Sequence, residues 1–362
     1  MGACLWRGAS DVGAEAAPTQ VALAGTAFLA LMLKTVHSPQ STVHSNTMYC
    51  QLFPEYDECH LCPRDCGAHR NAGEKGFCGC SSDLRIGVML PHFGEEPCLS
   101  GTKGSGTVFF SGCSCGCFFC QNHQISQEDI GRVYGFDEFL DGLRALIAKG
   151  VHNLNFVTPE HYMPTILAAC RALRDEGYDL PFLWNSSGYA KPEVISRVAE
   201  LIDVFMPDFK FASGQLASIC IGDADYSRHA LAAIEVMVDR TGFLRPWDSS
   251  GEITSSRGTI VRHLVLPGYV DNSIAALDTL YSHFGPLLPI SIMSQFMPMP
   301  ECKRRNMLDR QLSSQEYAQV CSYAQKLGFT RIFVQQENGD NAFAPDFTKA
   351  QPFQGNASAT MH

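Results

Sequence analysis

Three cysteines, Cys113, Cys117 and Cys120, stand in a C-x3-C-x2-C arrangement inside the loop Ser-Gly-Cys-Ser-Cys-Gly-Cys-Phe-Phe-Cys-Gln-Asn at residues 111–122. Thiolates this close on one loop can converge on one metal centre, and soft sulfur donors favour iron–sulfur clusters or zinc. A cubane ordinarily takes four cysteines, so three would leave one iron open to a substrate. Spacing alone keeps zinc in play, because zinc also takes clustered cysteines. Cys115, a fourth thiol in the same loop, is expected to point away.

A second group reads Cys59-x2-Cys62-x3-Cys66, followed by Cys78 and Cys80 after Gly76. Pro63 and the glycines make it a compact knuckle rather than a helix or strand. Four sulfurs from two short loops can bind a metal tetrahedrally, and Cys59, Cys62, Cys66 and Cys78 are the expected set. A structural zinc and an auxiliary iron–sulfur cluster that relays electrons are both compatible with that set. Cys50, Cys80 and Cys98 could substitute as ligands but read as lone buried thiols.

The elements that must position these groups alternate. An apolar run, Thr107-Val-Phe-Phe110, reads as a short buried strand feeding the loop. Apolar residues at helical spacing from Phe136 to Ile147 precede a strand at Leu154–Val157. Helices near 163–176, 192–201, 226–241 and 272–284 then alternate with strands at Pro181–Trp184, Val204–Met206 and near 259–266 and 288–294. A last helix carries Tyr317, Val320, Cys321, Ala324 and Leu327 on one face, and Arg331–Val334 is a last strand. Alternation of this kind implies an α/β fold with a parallel sheet. Catalytic groups then gather at the carboxyl ends of the strands. Polar residues fall there: Thr158, Glu160 and His161; Asn185, Ser187 and Gly188; Asp208 and Lys210; Arg262 and His263.

Taken singly, these residues have plainer readings. Asp208 and Lys210 suit a surface pair worth under ~1 kcal/mol, and His161 and His263 suit structural roles. Met293, Met297 and Met299 belong to packing. The glycine-rich stretch at 101–106 lacks the order of a phosphate-binding loop and reads as a turn. Joint position at successive strand ends is what makes a site of them.

Composition bounds the rest. The chain has 362 residues, 45% hydrophobic and 18% charged, room for one large α/β domain with an appendage or for two domains. A net charge of −10 argues against a general nucleic-acid binder, which needs a basic surface. Sixteen cysteines, clustered in an enzyme-sized chain, favour metal binding in a reducing cytosol over disulfides. Residues 1–47 read as an extension outside the folded region, with Met48 as a candidate start. Their apolar stretch Val21–Leu33 is too short to span a bilayer comfortably, and no membrane association is expected. Residues 48–100 form the cysteine-rich segment, 101–340 the core, and 341–362 a tail.

The loop at 111–122 resembles the cluster loop of radical S-adenosylmethionine enzymes. The wider chain, over about residues 56–353, is similar to the pyruvate formate-lyase activating enzyme group, specifically homologues with an N-terminal cysteine-rich segment. The resemblance implies a partial (β/α)6 TIM-like barrel. It also implies a [4Fe-4S] cluster on Cys113, Cys117 and Cys120 that binds and reductively cleaves S-adenosylmethionine to a 5′-deoxyadenosyl radical. Phe119 would lie by the adenine, and Glu160 would take the amino-group position of the family's Gly-Gly-Glu, although both glycines are replaced. Asn185, Ser187 and Gly188 would sit beside the ribose and methionine moiety, and Asp208 and Lys210 would face cofactor and substrate. Thr158 would join them, and Arg262 would pair a carboxylate. Ser294-Gln295-Phe296 lacks the family's histidine near the adenosine. Flavodoxin or ferredoxin would be the reductant, and a glycyl radical enzyme is the substrate the analogy suggests. Radical modification of another protein, RNA or small molecule is an alternative, as is a non-catalytic iron–sulfur protein for electron transfer or redox sensing. The expected compartment is the cytoplasm.

Overall fold

The computed structural model describes residues 6–8, 53–335 and 345–353. Met48, Cys50, Val21–Leu33 and the tail after Phe353 therefore lie outside the described residues. The strands in chain order are β1 (Trp6–Gly8), β2 (Leu84–His92), β3 (Ser105–Phe110), β4 (Arg132–Tyr134), β5 (Leu154–Val157) and β6 (Phe182–Ser186). They continue as β7 (Val204–Pro207), β8 (Gly258–Thr259), β9 (Val261–Leu264), β10 (Ile290–Met293) and β11 (Ile332–Gln335). One sheet runs β4-β2-β3-β5-β6-β7-β8 and a second runs β1-β11-β10-β9.

Pairing from β3 through β5, β6 and β7 to β8 is parallel, and so is pairing from β9 through β10 to β11. A parallel bridge between Asp208 and Arg262 joins the two sheets beyond β7. The result is an open, curved run of parallel strands, with six β/α units and a seventh parallel strand. Among the described residues no pairing closes β11 onto β3. This is the expected α/β class and partial barrel.

β3 is buried along all six residues, as a strand covered on both faces must be. The helix Phe136–Ala148 buries Phe139, Leu140, Leu143 and Leu146 against the sheet, one stripe at helical period. The helix Ser314–Leu327 starts with a capping box between Ser313 and Glu316 and stops at Gly328 in the left-handed region, so both ends have their backbone groups satisfied.

Several elements were not foreseen, β1 and β4 among them. The nine-residue β2 lies antiparallel to β3, so the segment expected as a separate cysteine-rich appendage shares the main sheet from Leu84 onward. Its alternation is broken by a register shift between Ile86 and Val88, which hid the period of two. The helix Gly214–Ile221 was also missed. The turn expected over 101–106 is shorter than that, since Ser105 and Gly106 already belong to β3.

A cysteine-lined cavity at the strand ends

The loop leaves the carboxyl end of β3 through Gly112, whose φ is +83. A Cβ there would lie 2.3 Å from Cys80 Sγ and 2.7 Å from the Cys78 carbonyl oxygen. Only glycine lets the loop pass the knuckle this closely. Beyond it the backbone is pinned: Cys113 N donates to Cys78 O at 3.2 Å, Cys120 N to Cys117 O at 3.1 Å and Phe118 N to Cys220 O at 3.3 Å. Gln127 Nε2 donates to Cys117 O at 2.7 Å.

Cys113, Cys117 and Cys120 open onto one cavity of about 860 Å³, together with Phe119, Thr158, Asn185, Ser187, Asp208, Lys210 and Arg262. That volume lies within the usual range for small-molecule sites. Ten of the residues expected around a cluster and its cofactor are thus brought together from five strand ends.

The polar wall is charged, and its ion pair is largely buried. Lys210 and Asp208 form an ion pair with side chains 15% and 17% exposed, so the surface-pair reading is wrong. Burial works against the Lys210 charge, but Asp208 and the cysteine thiolates outweigh it and hold the ammonium protonated beyond its usual range. The thiol of Cys117 is pushed down, chiefly by the hydrogen bond from Cys115 and with help from Lys210 against burial. Burial, followed by the neighbouring Cys117 charge, pushes Cys113 and Cys120 up.

Several expectations change. Cys115 does not point away: its sulfur lies 3.7 Å from Cys117 Sγ, in a thiol–thiol hydrogen bond, and it lines the same cavity. Glu160 is fully buried but is not on the cavity wall. It accepts a hydrogen bond from Ser186 Oγ, which does line the cavity, and its Oε2 has no partner. Burial raises its carboxyl to about 7. Gly188 is also absent from the wall; at φ +75 it lets the end of β6 meet β7, where a Cβ would stand 2.0 Å from Asp208 O. Thr158 holds φ +54, costly for a β-branched residue, and such strain gathers at functional sites.

Arg262 is not free to receive a carboxylate. Its Nε donates to Glu96 Oε1 at 2.9 Å, and its Nη2 donates to both Glu95 and Glu96. Asn155 Nδ2 donates to Glu95 Oε1 at 2.7 Å. Glu95 and Glu96 come from the turn after β2, beside the amino end of β3, and are 6% and 0% exposed. Burial raises the Glu95 carboxyl, but the Arg262 guanidinium outweighs it and holds it below the usual range. These glutamates were missed; two adjacent acids between Gly94 and Pro97 were the available signal. His263 is structural, with Nδ1 donating to Phe209 O at 2.7 Å and Nε2 accepting from Ser273 Oγ at 2.9 Å. His161 is structural too, donating from Nε2 to Ser111 O at 2.8 Å. At the position lacking a histidine, Phe296 packs 6.0 Å from Phe119.

Among the described residues no three His, Cys, Asp or Glu side chains stand close enough to grip a single metal ion. Ligands of one tetrahedral zinc lie about 3.8 Å apart, given its bond length, whereas a cubane spreads its thiolates over different irons. The three loop cysteines share one cavity wall, a set of thiolates that a cubane could take on separate irons. The Ser187 hydroxyl is buried on that wall with no partner, so a polar ligand atom would satisfy a group that is otherwise costly.

Cys59, Cys62, Cys66 and Cys78 line no part of this cavity; Cys59, Cys62 and Cys78 are buried and Cys66 is exposed. No helix among the described residues is long and apolar enough to cross a membrane.

No protein-family model matches this chain. The uncharacterized protein MJ0674 of Methanocaldococcus jannaschii is 26% identical over 290 residues, which cover 77% of each chain. Among solved structures, methylornithine synthase (PylB) superposes with a TM-score of 0.41 at 14% identity, covering 61% of this chain and 60% of that one. HydG, a maturase of the [FeFe]-hydrogenase, superposes with a TM-score of 0.44 at 13% identity, covering 62% of this chain and 50% of that one.

Proposed function

We propose that this chain is a radical S-adenosylmethionine enzyme. The observation that carries the reading is the opening of Cys113, Cys117 and Cys120 from one loop onto a cavity walled by polar groups at successive strand ends. A [4Fe-4S] cluster held there by three cysteines would supply an electron for reductive cleavage of S-adenosylmethionine, giving a 5′-deoxyadenosyl radical that abstracts hydrogen from a substrate.

The chain's own residues would bind, orient and exclude water. Lys210, kept charged by Asp208, offers a fixed cation facing the thiolates. Phe119 and Phe296 offer ring faces for a nucleobase. Asn185 and Ser187 offer polar contacts, the latter from a hydroxyl with no partner. At the other end of the cavity His92, Phe109 and Phe353 form an aromatic cluster, with Phe109 and Phe353 5.2 Å apart, that would keep water from a reactive radical.

The finer reading is activation of a glycyl radical enzyme, with flavodoxin or ferredoxin as reductant in the cytoplasm. It rests on the resemblance of the strand-end motifs. The placement of Glu160 off the wall, the engagement of Arg262 and the missing histidine leave the substrate to experiment.

The test is anaerobic reconstitution with iron and sulfide, then assay of 5′-deoxyadenosine after adding dithionite and S-adenosylmethionine. Product at about four irons per catalytic loop is expected. Fully loaded protein that forms none, with reductant and candidate substrate supplied, would sink the enzyme reading in favour of an electron carrier.

A further inference from the structure

The knuckle at Cys59–Cys78 has no place in the chemistry above, yet it is built as a site. Cys59 N donates to Ala68 O and Gly67 N to Cys59 O, both at 3.1 Å, and Asp65 N donates to Cys62 O at 3.1 Å. A second turn is closed by Gly79 N to Gly76 O at 2.9 Å. The two turns face each other. A Cβ on Gly76 would lie 3.2 Å from Cys66 Sγ and 3.6 Å from Cys78 Sγ, so these sulfurs flank a position that glycine keeps clear. Cys62 lies within charge-interaction range of Cys59, Cys66 and Cys78. Beneath them the buried Arg70 directs Nη1 at Cys59 Sγ, 3.7 Å away, and its other hydrogen bonds go to the carbonyls of Ser81 and His161.

Both turns also hold the cluster loop. Arg64, between Cys62 and Cys66, donates from Nε to Ser114 O at 2.9 Å and from Nη2 to Cys115 O at 3.0 Å and Ile221 O at 2.5 Å. Its guanidinium lies 3.8 Å from the Phe77 ring centre and 4.9 Å from that of Tyr189. From the other turn, Cys78 O receives Cys113 N.

We propose that Cys59, Cys62, Cys66 and Cys78 bind one thiophilic divalent ion of the zinc class, and that this ion braces the cluster loop through Arg64 and Cys78. Four thiolates on a divalent ion leave two negative charges, and buried Arg70 offsets one. A single ion needs its sulfurs only about 3.8 Å apart, and two of the four already flank Gly76, whereas a cubane needs room for four irons. The thiols do not yet converge: Cys66 turns its thiol to Cys59 O at 3.9 Å. Cys66 is exposed, and rotation of an exposed side chain is fast. The bracing half rests on the cluster reading of the loop; the ion half does not.

The full chain, purified without oxygen and dialysed against a mild chelator, is assayed for zinc and iron. About one zinc per chain is expected, lost in Cys62→Ser and kept in Cys117→Ala and Arg64→Met. Cobalt(II) replacing the zinc should give the intense thiolate-to-metal absorption of a tetrahedral four-thiolate site, a readout that holds even if Cys62→Ser fails to fold. No zinc in the wild type, roughly eight irons per chain, or a cobalt spectrum without thiolate bands would overturn the ion site. Arg64→Met should keep zinc but load iron on the cluster loop more slowly than the wild type; loading at the wild-type rate would overturn the brace. Absence of deoxyadenosine with zinc still bound would strike the proposed function and leave the ion site standing.

Discussion

The two cysteine groups of this chain use the same residue type on similarly short, glycine-bearing turns, and they touch through the hydrogen bond from Cys113 N to Cys78 O. They differ in what the sulfurs face. The loop at 111–122 turns Cys113, Cys117 and Cys120 onto a cavity of about 860 Å³ shared with a buried lysine and the partnerless Ser187 hydroxyl. The knuckle sets Cys59 Sγ against Arg70 and the Cys66 and Cys78 sulfurs beside Gly76, and contributes no residue to the cavity wall. Thiol spacing alone admits metal at either place; access to a small molecule separates a site that can do chemistry from one that can hold the chain together.

The largest effect should come from removing a loop ligand. Cys117→Ala is expected to abolish deoxyadenosine formation to background while leaving knuckle zinc intact, whereas Cys62→Ser should retain part of the activity. Equal loss in both variants, with folding confirmed by circular dichroism, would break the division between the two groups.

Next in size is Arg262→Met. It leaves Glu95 and Glu96 buried beside one another without their guanidinium, and breaking a buried pair this way costs about 3–5 kcal/mol. Urea unfolding should show that loss at neutral pH. A change under about 1 kcal/mol would mean that water reaches the pair and that this end of the cavity is not dry.

Glu160 gives a pH signature on the cavity side of the seam. Its folded carboxyl is raised to about 7 from 4.5, so the folded state keeps a proton that the unfolded chain releases. Stability from this group is therefore full below about pH 4.5 and lost progressively up to about pH 7. Glu160→Gln should be more stable than the wild type at pH 8 by roughly 3 kcal/mol, with the gap closing near pH 4.5. A gap independent of pH would show that Glu160 is ionised in the fold.

The smallest expected effect sharpens the knuckle side. Arg64→Met removes three hydrogen bonds to the carbonyls of buried Ser114, Cys115 and Ile221, but Arg64 itself is only half-buried and water can enter its place, so about 2 kcal/mol of stability should go. The accompanying slower iron loading is the informative part. A stability loss without it would make Arg64 a packing residue only.

Legibility followed the range of the interactions. The three loop cysteines, the alternating elements and the strand-end polar residues from Thr158 to Lys210 are written in local pattern, because spacing, hydrophobic period and position after a strand depend on near neighbours. β2 was hidden because its register shift breaks the alternation that reveals a strand. The engagement of Arg262 was hidden because its carboxylates lie 166 and 167 residues away in sequence. Glu160 matched a motif by order, yet the short helical turn Glu160–Tyr162 carries it behind Ser186.

The sequence by itself determined which residues could bind metal and which class of sheet would carry them, since donor type and periodicity are local properties. Tertiary structure alone decided which sulfurs face a cavity, that Cys115 lies against Cys117, that Asp208 and Lys210 are buried, and that Arg64 ties the knuckle to the loop. Each of these depends on segments distant along the chain meeting in space, where burial changes the strength of a charge and a carbonyl finds a donor that no local spacing announces.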